Sequence, residues 1–296
     1  MRQGLLTIGI CFMSLCGSWL PHAVGCPYCR VGAAGVAEES EASADGWPLK
    51  VSGGLDFASS YFFRGYLQAD HGLIMQESLN LFTVCPCGEG VIVRPYVSFF
   101  NSSHFGSGNP MSGMADAMVG ATATWHGLIV DARYAYYNTN PTMFSNVHEV
   151  GAKASFDVLT LFETNEIPDS FSLRPFAGIY GKVFDEKGTE NAYLDIGFEP
   201  AWRFEWAGQK VGVALPLDWG LGVDGYYLNS NGGNTTLGYF STALTATMSL
   251  PKRAHCGDWF LNASVQYLHL TADNLVSINH GNRDAVIGKV GLAFVF

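Results

Sequence analysis

Val286-Ile287-Gly288-Lys289-Val290-Gly291-Leu292-Ala293-Phe294-Val295-Phe296 closes the sequence, and every even position except Gly288 is large and apolar. Lys289 and the small residues Gly291 and Ala293 fall on the other parity. Side chains alternate faces along a strand, so this is a strand with one greasy face that ends on an aromatic residue. A soluble edge strand could alternate in the same way. Here the pattern recurs in ten-residue segments along the chain, which favours an all-β fold: a transmembrane antiparallel up-and-down barrel with lipid outside and water inside.

Composition agrees. Of the 296 residues, 14% are charged and 14% aromatic, with 35 glycines, and so few charges do not cover a soluble surface. The formal net charge is −10, but Glu38, Glu39, Glu41 and Asp45 gather before the first strand, leaving the body mildly acidic. No basic patch points to nucleic acid, and beyond the N-terminus no run of eighteen apolar residues marks a spanning helix.

Residues 1–25 read as an export signal: Arg2, an apolar run from Leu5 to Leu20, and the small residues Ala23-Val24-Gly25 before Cys26. Ala23-Val24-Gly25-Cys26 also looks like a loose lipobox, in which Cys26 would be lipidated, although Ala23 stands where leucine is usual. Segment 26–46 is small, acidic and rich in alanine and glycine. It has too little apolar surface to offset ordering entropy and reads as a flexible periplasmic tether. The barrel then occupies 47–296.

Twelve strands are expected, at 49–65, 74–84, 91–101, 115–125, 128–138, 147–159, 171–184, 191–206, 210–227, 236–250, 259–271 and 285–296. An even number returns both ends to the periplasmic side. Joints at His126-Gly127 and Ala207-Gly208-Gln209 are tight, whereas 102–114 and 272–284 are long and polar, as periplasmic turns and extracellular loops should be.

Parity sorts the faces. At 191–206, Leu194, Ile196, Phe198, Trp202, Phe204 and Trp206 face lipid; at 259–271, Trp259, Leu261, Val265 and Tyr267 do. Aromatic residues near both strand ends suggest two interfacial girdles. The same rule lines the lumen with Asp56, Arg64, Arg94, Asp131, Arg133, Glu149, Lys153, Arg174, Asp195, Glu199, Arg203 and Lys289, together with Asp116, Asp157, Lys182, Glu205, Asp218 and Asp224. Mixed charge fits either a wet, weakly selective pore or a salt-bridged plug of side chains.

Ser59-Ser60-Tyr61-Phe62-Phe63-Arg64-Gly65-Tyr66-Leu67-Gln68 resembles the signature of the Gcw_chp family of uncharacterised bacterial outer-membrane proteins. Ser59, Tyr61, Phe63, Arg64, Gly65 and Gln68 match that signature; Ser60 and Leu67 depart from it. Phe296 likewise resembles the C-terminal aromatic that outer-membrane insertion machinery reads. The resemblance implies an outer-membrane barrel and no established activity. On parity, Tyr61 and Phe63 face outward with Phe57, Arg64 points inward near the outer rim, where its fork suits a neighbouring lumen acid or, as the weaker reading, a substrate, and Gly65 bends the chain into the first loop.

Cys26, Cys29, Cys85, Cys87 and Cys256 all fall on the periplasmic side, where an oxidising compartment makes them candidate disulfide formers. Cys26-Pro27-Tyr28-Cys29 matches a redox motif but lacks the following helix that the chemistry needs. Metal binding with Cys85-Pro86-Cys87 is a weaker reading, because one-residue spacing is unusual for a thiolate site. No metal and no cofactor are expected. His269-Leu270-Thr271 is the nearest approach to an outer-membrane phospholipase pair, without a recognisable serine or orienting group, so no enzyme is expected either. The expected function is a passive pore for small solutes, with a closed structural or surface-interaction barrel as the alternative. Its expected partners are outer-membrane lipid, the barrel-assembly machinery and small solutes.

Overall fold

The computed structural model describes residues 49–106, 114–138, 146–161, 170–185, 191–251 and 257–296. The expected signal segment, the tether, Cys26, Cys29 and Cys256 lie outside them.

Twelve strands form one closed sheet. They are β1 (Lys50–Ala58), β2 (Leu73–Phe82), β3 (Val91–Phe105), β4 (Met114–Trp125), β5 (Leu128–Asn138), β6 (Val147–Phe156), β7 (Phe171–Asp185), β8 (Ala192–Trp206), β9 (Gln209–Ala214 and Leu217–Val223), β10 (Leu237–Ser249), β11 (Asp258–Leu270) and β12 (Asp284–Val295). Each pairs antiparallel with its neighbours, and β12 returns to β1 with Val295 opposite Ser52 and Lys289 opposite Ala58. Among the described residues, closure leaves this twelve-stranded wall without a free edge. No described helix is long and apolar enough to cross a membrane.

Alternation fixes the two faces. On β12 Val286, Val290 and Leu292 are exposed, as is Phe296 just past it, while Ile287 and Ala293 are buried. Trp125, Trp202, Phe204, Trp206, Trp259 and Phe296 ring the short-turn end on the outside, and Tyr134 and Tyr267 are exposed near the long-loop end. The two tightest turns, His126-Gly127 and Ala207-Gly208, have positive φ at both residues (44° and 79°; 51° and 75°). This is the type I′ geometry that matches strand twist, with glycine taking the second position.

The structure corrects several expectations. The first strand ends at Ala58 rather than continuing to 65; Tyr61–Phe63 and Tyr66–Ala69 form a separate hairpin turned into the barrel. Tyr61 is therefore buried instead of facing lipid, and Phe63 packs edge-on against Tyr137 inside. The ninth strand breaks at Leu215-Pro216 and stops at Val223, as proline donates no ladder hydrogen bond. Asp224 consequently sits exposed in a turn past the strand end, at φ 52°, rather than on the wall, and Glu205, on the inward parity of β8, is exposed beside the Trp206 turn. The loop at 272–284 carries a short helix, α1 (Asp273–Ile278), and 227–235 a small hairpin. The interior also departs from an all-water lumen. Its long-loop half is an apolar and aromatic core of Tyr61, Phe62, Leu67, Tyr137, Tyr180, Tyr193, Tyr226, Tyr227, Tyr239 and Leu275.

Candidate functional site

The site begins with a turn. Phe63 and Tyr66 pair across Arg64 and Gly65, whose φ values are 51° and 83°. Arginine rarely adopts the left-handed region, and the cost persists only where surroundings hold it. Gly65 is required twice: by its φ, and because a Cβ there would lie 2.7 Å from Leu275 Cδ1 and 2.9 Å from Tyr239 Cδ1.

What holds Arg64 is a buried carboxylate. Nη1 donates to Glu149 Oε2 at 2.6 Å and Nη2 to Glu149 Oε1 at 2.7 Å, with both side chains 2% exposed. Nη1 also reaches Tyr226 Oη at 3.2 Å, and Tyr137 Oη donates to Glu149 Oε1 at 3.2 Å. The guanidinium lies 4.3 Å from the Tyr193 ring centre and 5.0 Å from that of Tyr180. A planar, delocalised cation suits this cage because it stacks on rings while its fork grips the carboxylate.

The other inward elements lock onto the hairpin. Tyr227 Oη donates to the Arg64 carbonyl at 3.0 Å, Tyr66 Oη to the Tyr226 carbonyl at 2.7 Å, and Asn274 Nδ2 to Tyr66 Oη at 3.1 Å. At the rim, Asp70 meets His71 Nδ1 at 2.7 Å and His280 Nε2 at 3.1 Å. The Asp70 carboxyl is held below its ordinary value, first by the His71 hydrogen bond and then by the nearby His280. Asp273 is lowered similarly by Arg283, 2.8 Å away, and by the Ser230 N–H.

Further toward the short turns the remaining lumen charges meet one another. Lys153 pairs with Asp195 at 3.0 Å and lies 3.8 Å from the Phe176 ring centre. Arg133 reaches Asp131 at 3.3 Å, Arg174 approaches Asp157 at 3.8 Å, and Lys289 pairs with Asp56 at 3.1 Å. Gly291 makes room for that last pair, since a Cβ there would fall 1.9 Å from Asp56 Oδ1. Arg174 stands opposite Glu199 in the β7–β8 register. Arg94 and Arg203 are half-buried.

Charge covers only part of the wall. Across β10–β12 and β1–β3 the lining is mostly uncharged: Ser52, Gln76, Asn80, Ser98, Thr245, Thr247 and Gln266 are all buried. Gln76 Oε1, Gln266 Oε1 and Ser98 Oγ meet no protein partner there among the described residues. Uncharged side chains such as these carry no charge signal in the sequence, and parity alone gives only their face.

Cys85 is half-buried and Cys87 exposed at the first short turn, with the Cys87 thiol 3.5 Å from the Cys85 carbonyl. His269 does have an orienting group, since Nδ1 lies 2.8 Å from Asp284 Oδ1, which also accepts from Tyr267 Oη at 2.6 Å. Thr271, however, gives its N–H to Gly238 and its carbonyl to Arg283. The His269 cluster thus lies exposed at the long-loop end of β11 and β12.

A closed antiparallel wall that is apolar outside, banded by aromatics and polar or ion-paired within defines a transmembrane β-barrel of the outer-membrane class. No protein-family model and no curated protein matches the chain. Among solved structures it is similar to the β-domain of the Bordetella autotransporter BrkA, at 13% identity over 84% of this chain and 99% of that one, with a TM-score of 0.45. It is also similar to an outer-membrane channel from Pseudomonas putida F1 (12%; 83% and 95%; 0.45) and to the KdgM porin (8%; 83% and 99%; 0.39).

Proposed function

We propose that this chain is an outer-membrane barrel whose resting state is closed, with the hairpin at 61–69 as its plug and the long loops as its outward surface. The observation that carries this reading is the Arg64–Glu149 fork, which ties the hairpin tip to β6 in the middle of an aromatic core. Six residues that carry the Gcw_chp resemblance lie in or beside that hairpin, so membership of that family is part of the same proposal. Ser59 anchors its base, with Oγ 3.0 Å from the Gly288 N–H, and Gln68 Nε2 donates to the Tyr66 carbonyl.

Planar-bilayer recording tests it. Refolded wild-type protein should give no unitary steps, and deletion of residues 60–70 should produce them. Steady conductance of the wild type would return the passive-pore reading. One observation favours that second reading: unpartnered Gln76, Gln266 and Ser98 atoms call for ordered water in the short-turn half of the lumen.

A further inference from the structure

The outward wall carries one acid in the wrong solvent. On β2, Leu73 is 51% and Leu79 40% exposed, and Glu77 shares their parity. Its cross-strand neighbours are Leu55 and Asn101, and Asn101 shares its face with exposed Phe99 and Phe105. Among the described residues, Glu77 is the one outward carboxylate with exposed apolar residues on both sides of it along its strand. Asn101 Nδ2 donates to Glu77 Oε2 at 2.9 Å and to Ser103 Oγ at 2.9 Å.

An ionisable group inside the apolar belt is costly, and hydrocarbon tails offer it no donor. A partner must be a protein surface with polar groups at the same depth. We infer that Glu77 and Asn101 mark the interface with a second copy of this chain, side by side in the membrane. Glu77 and Asn101 are register partners, so they lie at nearly equal depth. A two-fold axis parallel to the barrel axis, passing between β2 and β3, sets Glu77 against Asn101 of the second copy and the reverse. Acceptor and donor then match on both sides, as an isologous contact requires. The amide hydrogen now on Ser103 is the one re-aimed at the second carboxylate.

The adjoining wall fits such an approach. Ala115 lies opposite Asn101 and Ala117 opposite Phe99; past exposed Val119, Ala121 and Ala123 continue the same face of β4. Small residues let two walls come close enough for packing to replace lipid contact. The far wall, β8 to β10, carries Trp202, Phe204, Trp219 and Phe240 instead, a rougher aromatic surface.

Single-molecule photobleaching of the labelled full chain in dilute lipid bilayers tests the inference. Wild type should bleach in two steps. Glu77→Leu or Asn101→Leu should cut the two-step fraction at least tenfold, with heat-modifiable migration kept, whereas Glu77→Gln, which retains an acceptor, should preserve it. Ala117→Trp, neutral toward lipid but obstructive to a second wall, should also give single steps, so the test survives a leucine variant that fails to fold. Single steps from wild type, or two steps from Ala117→Trp and the leucine variants alike, would overturn it. A lipid or an unrelated protein as the true occupant would appear as the first of these outcomes.

Discussion

Glu149 accepts both terminal nitrogens of Arg64, at 2.6 and 2.7 Å, across 85 residues of sequence. Removing one member of a buried pair strands the other charge, a loss of about 3–5 kcal/mol. Arg64→Ala should therefore lower the unfolding midpoint in lipid vesicles, followed by tryptophan fluorescence. The double variant Arg64→Leu with Glu149→Leu should recover much of that loss. An Arg64→Ala barrel as stable as wild type would mean that the aromatic cage alone holds the hairpin.

Orientation is checked by tags. One inserted at Gly232 should be labelled on intact cells, and one at Gly208 only after the outer membrane is opened. Both positions have positive φ and open space around them, so the insertions themselves are tolerated. Labelling at Gly208 on intact cells would invert the barrel.

Deleting Phe296 should reduce the yield of heat-modifiable barrel more than it reduces export. The ring packs 5.4 Å from Phe294 and 6.3 Å from Trp259, and the backbone exchanges hydrogen bonds with Val51 at 2.8 and 3.2 Å. An interfacial anchor and a closing pair of bonds go together. Unchanged refolding yield would assign the residue to recognition alone.

Acid should loosen the rim before the wall. The Asp70 and Asp273 carboxyls are depressed in the folded state, so their contribution is full above the unfolded value of about 3.9 and fades as pH falls through the lower folded values. Hydrogen exchange at 273–283 should rise over that interval. Asp273→Asn should show the faster exchange already at neutral pH. Both carboxyls are solvent-accessible, so added salt should shrink the difference.

The wall was legible because lipid on one side and polar groups on the other impose period two on every strand, which is why parity placed Trp202, Val265 and Lys289 on the faces they occupy. The plug was not. Tyr61 and Phe63 continue the alternation of Phe57 without a break, and nothing local says that the chain leaves the sheet at Ser59. The available signal was Arg64-Gly65 between aromatics, a two-residue turn disguised by an arginine where asparagine is usual. Glu149 as its partner was beyond reach, since a register of long-range pairing cannot be read from one segment. Glu77 was legible, since parity alone places an acid on the greasy face.

The seam between β1 and β12 has a bearing on biogenesis. The two strands that close the ring come from opposite ends of the barrel sequence, so their pairing waits until every intervening hairpin is in place. Such a topology folds slowly and late. A chain interrupted anywhere short of its last strand keeps two raw edges open to other chains. The seam thus acts as a completeness check, in which only a barrel with all twelve strands stops being adhesive.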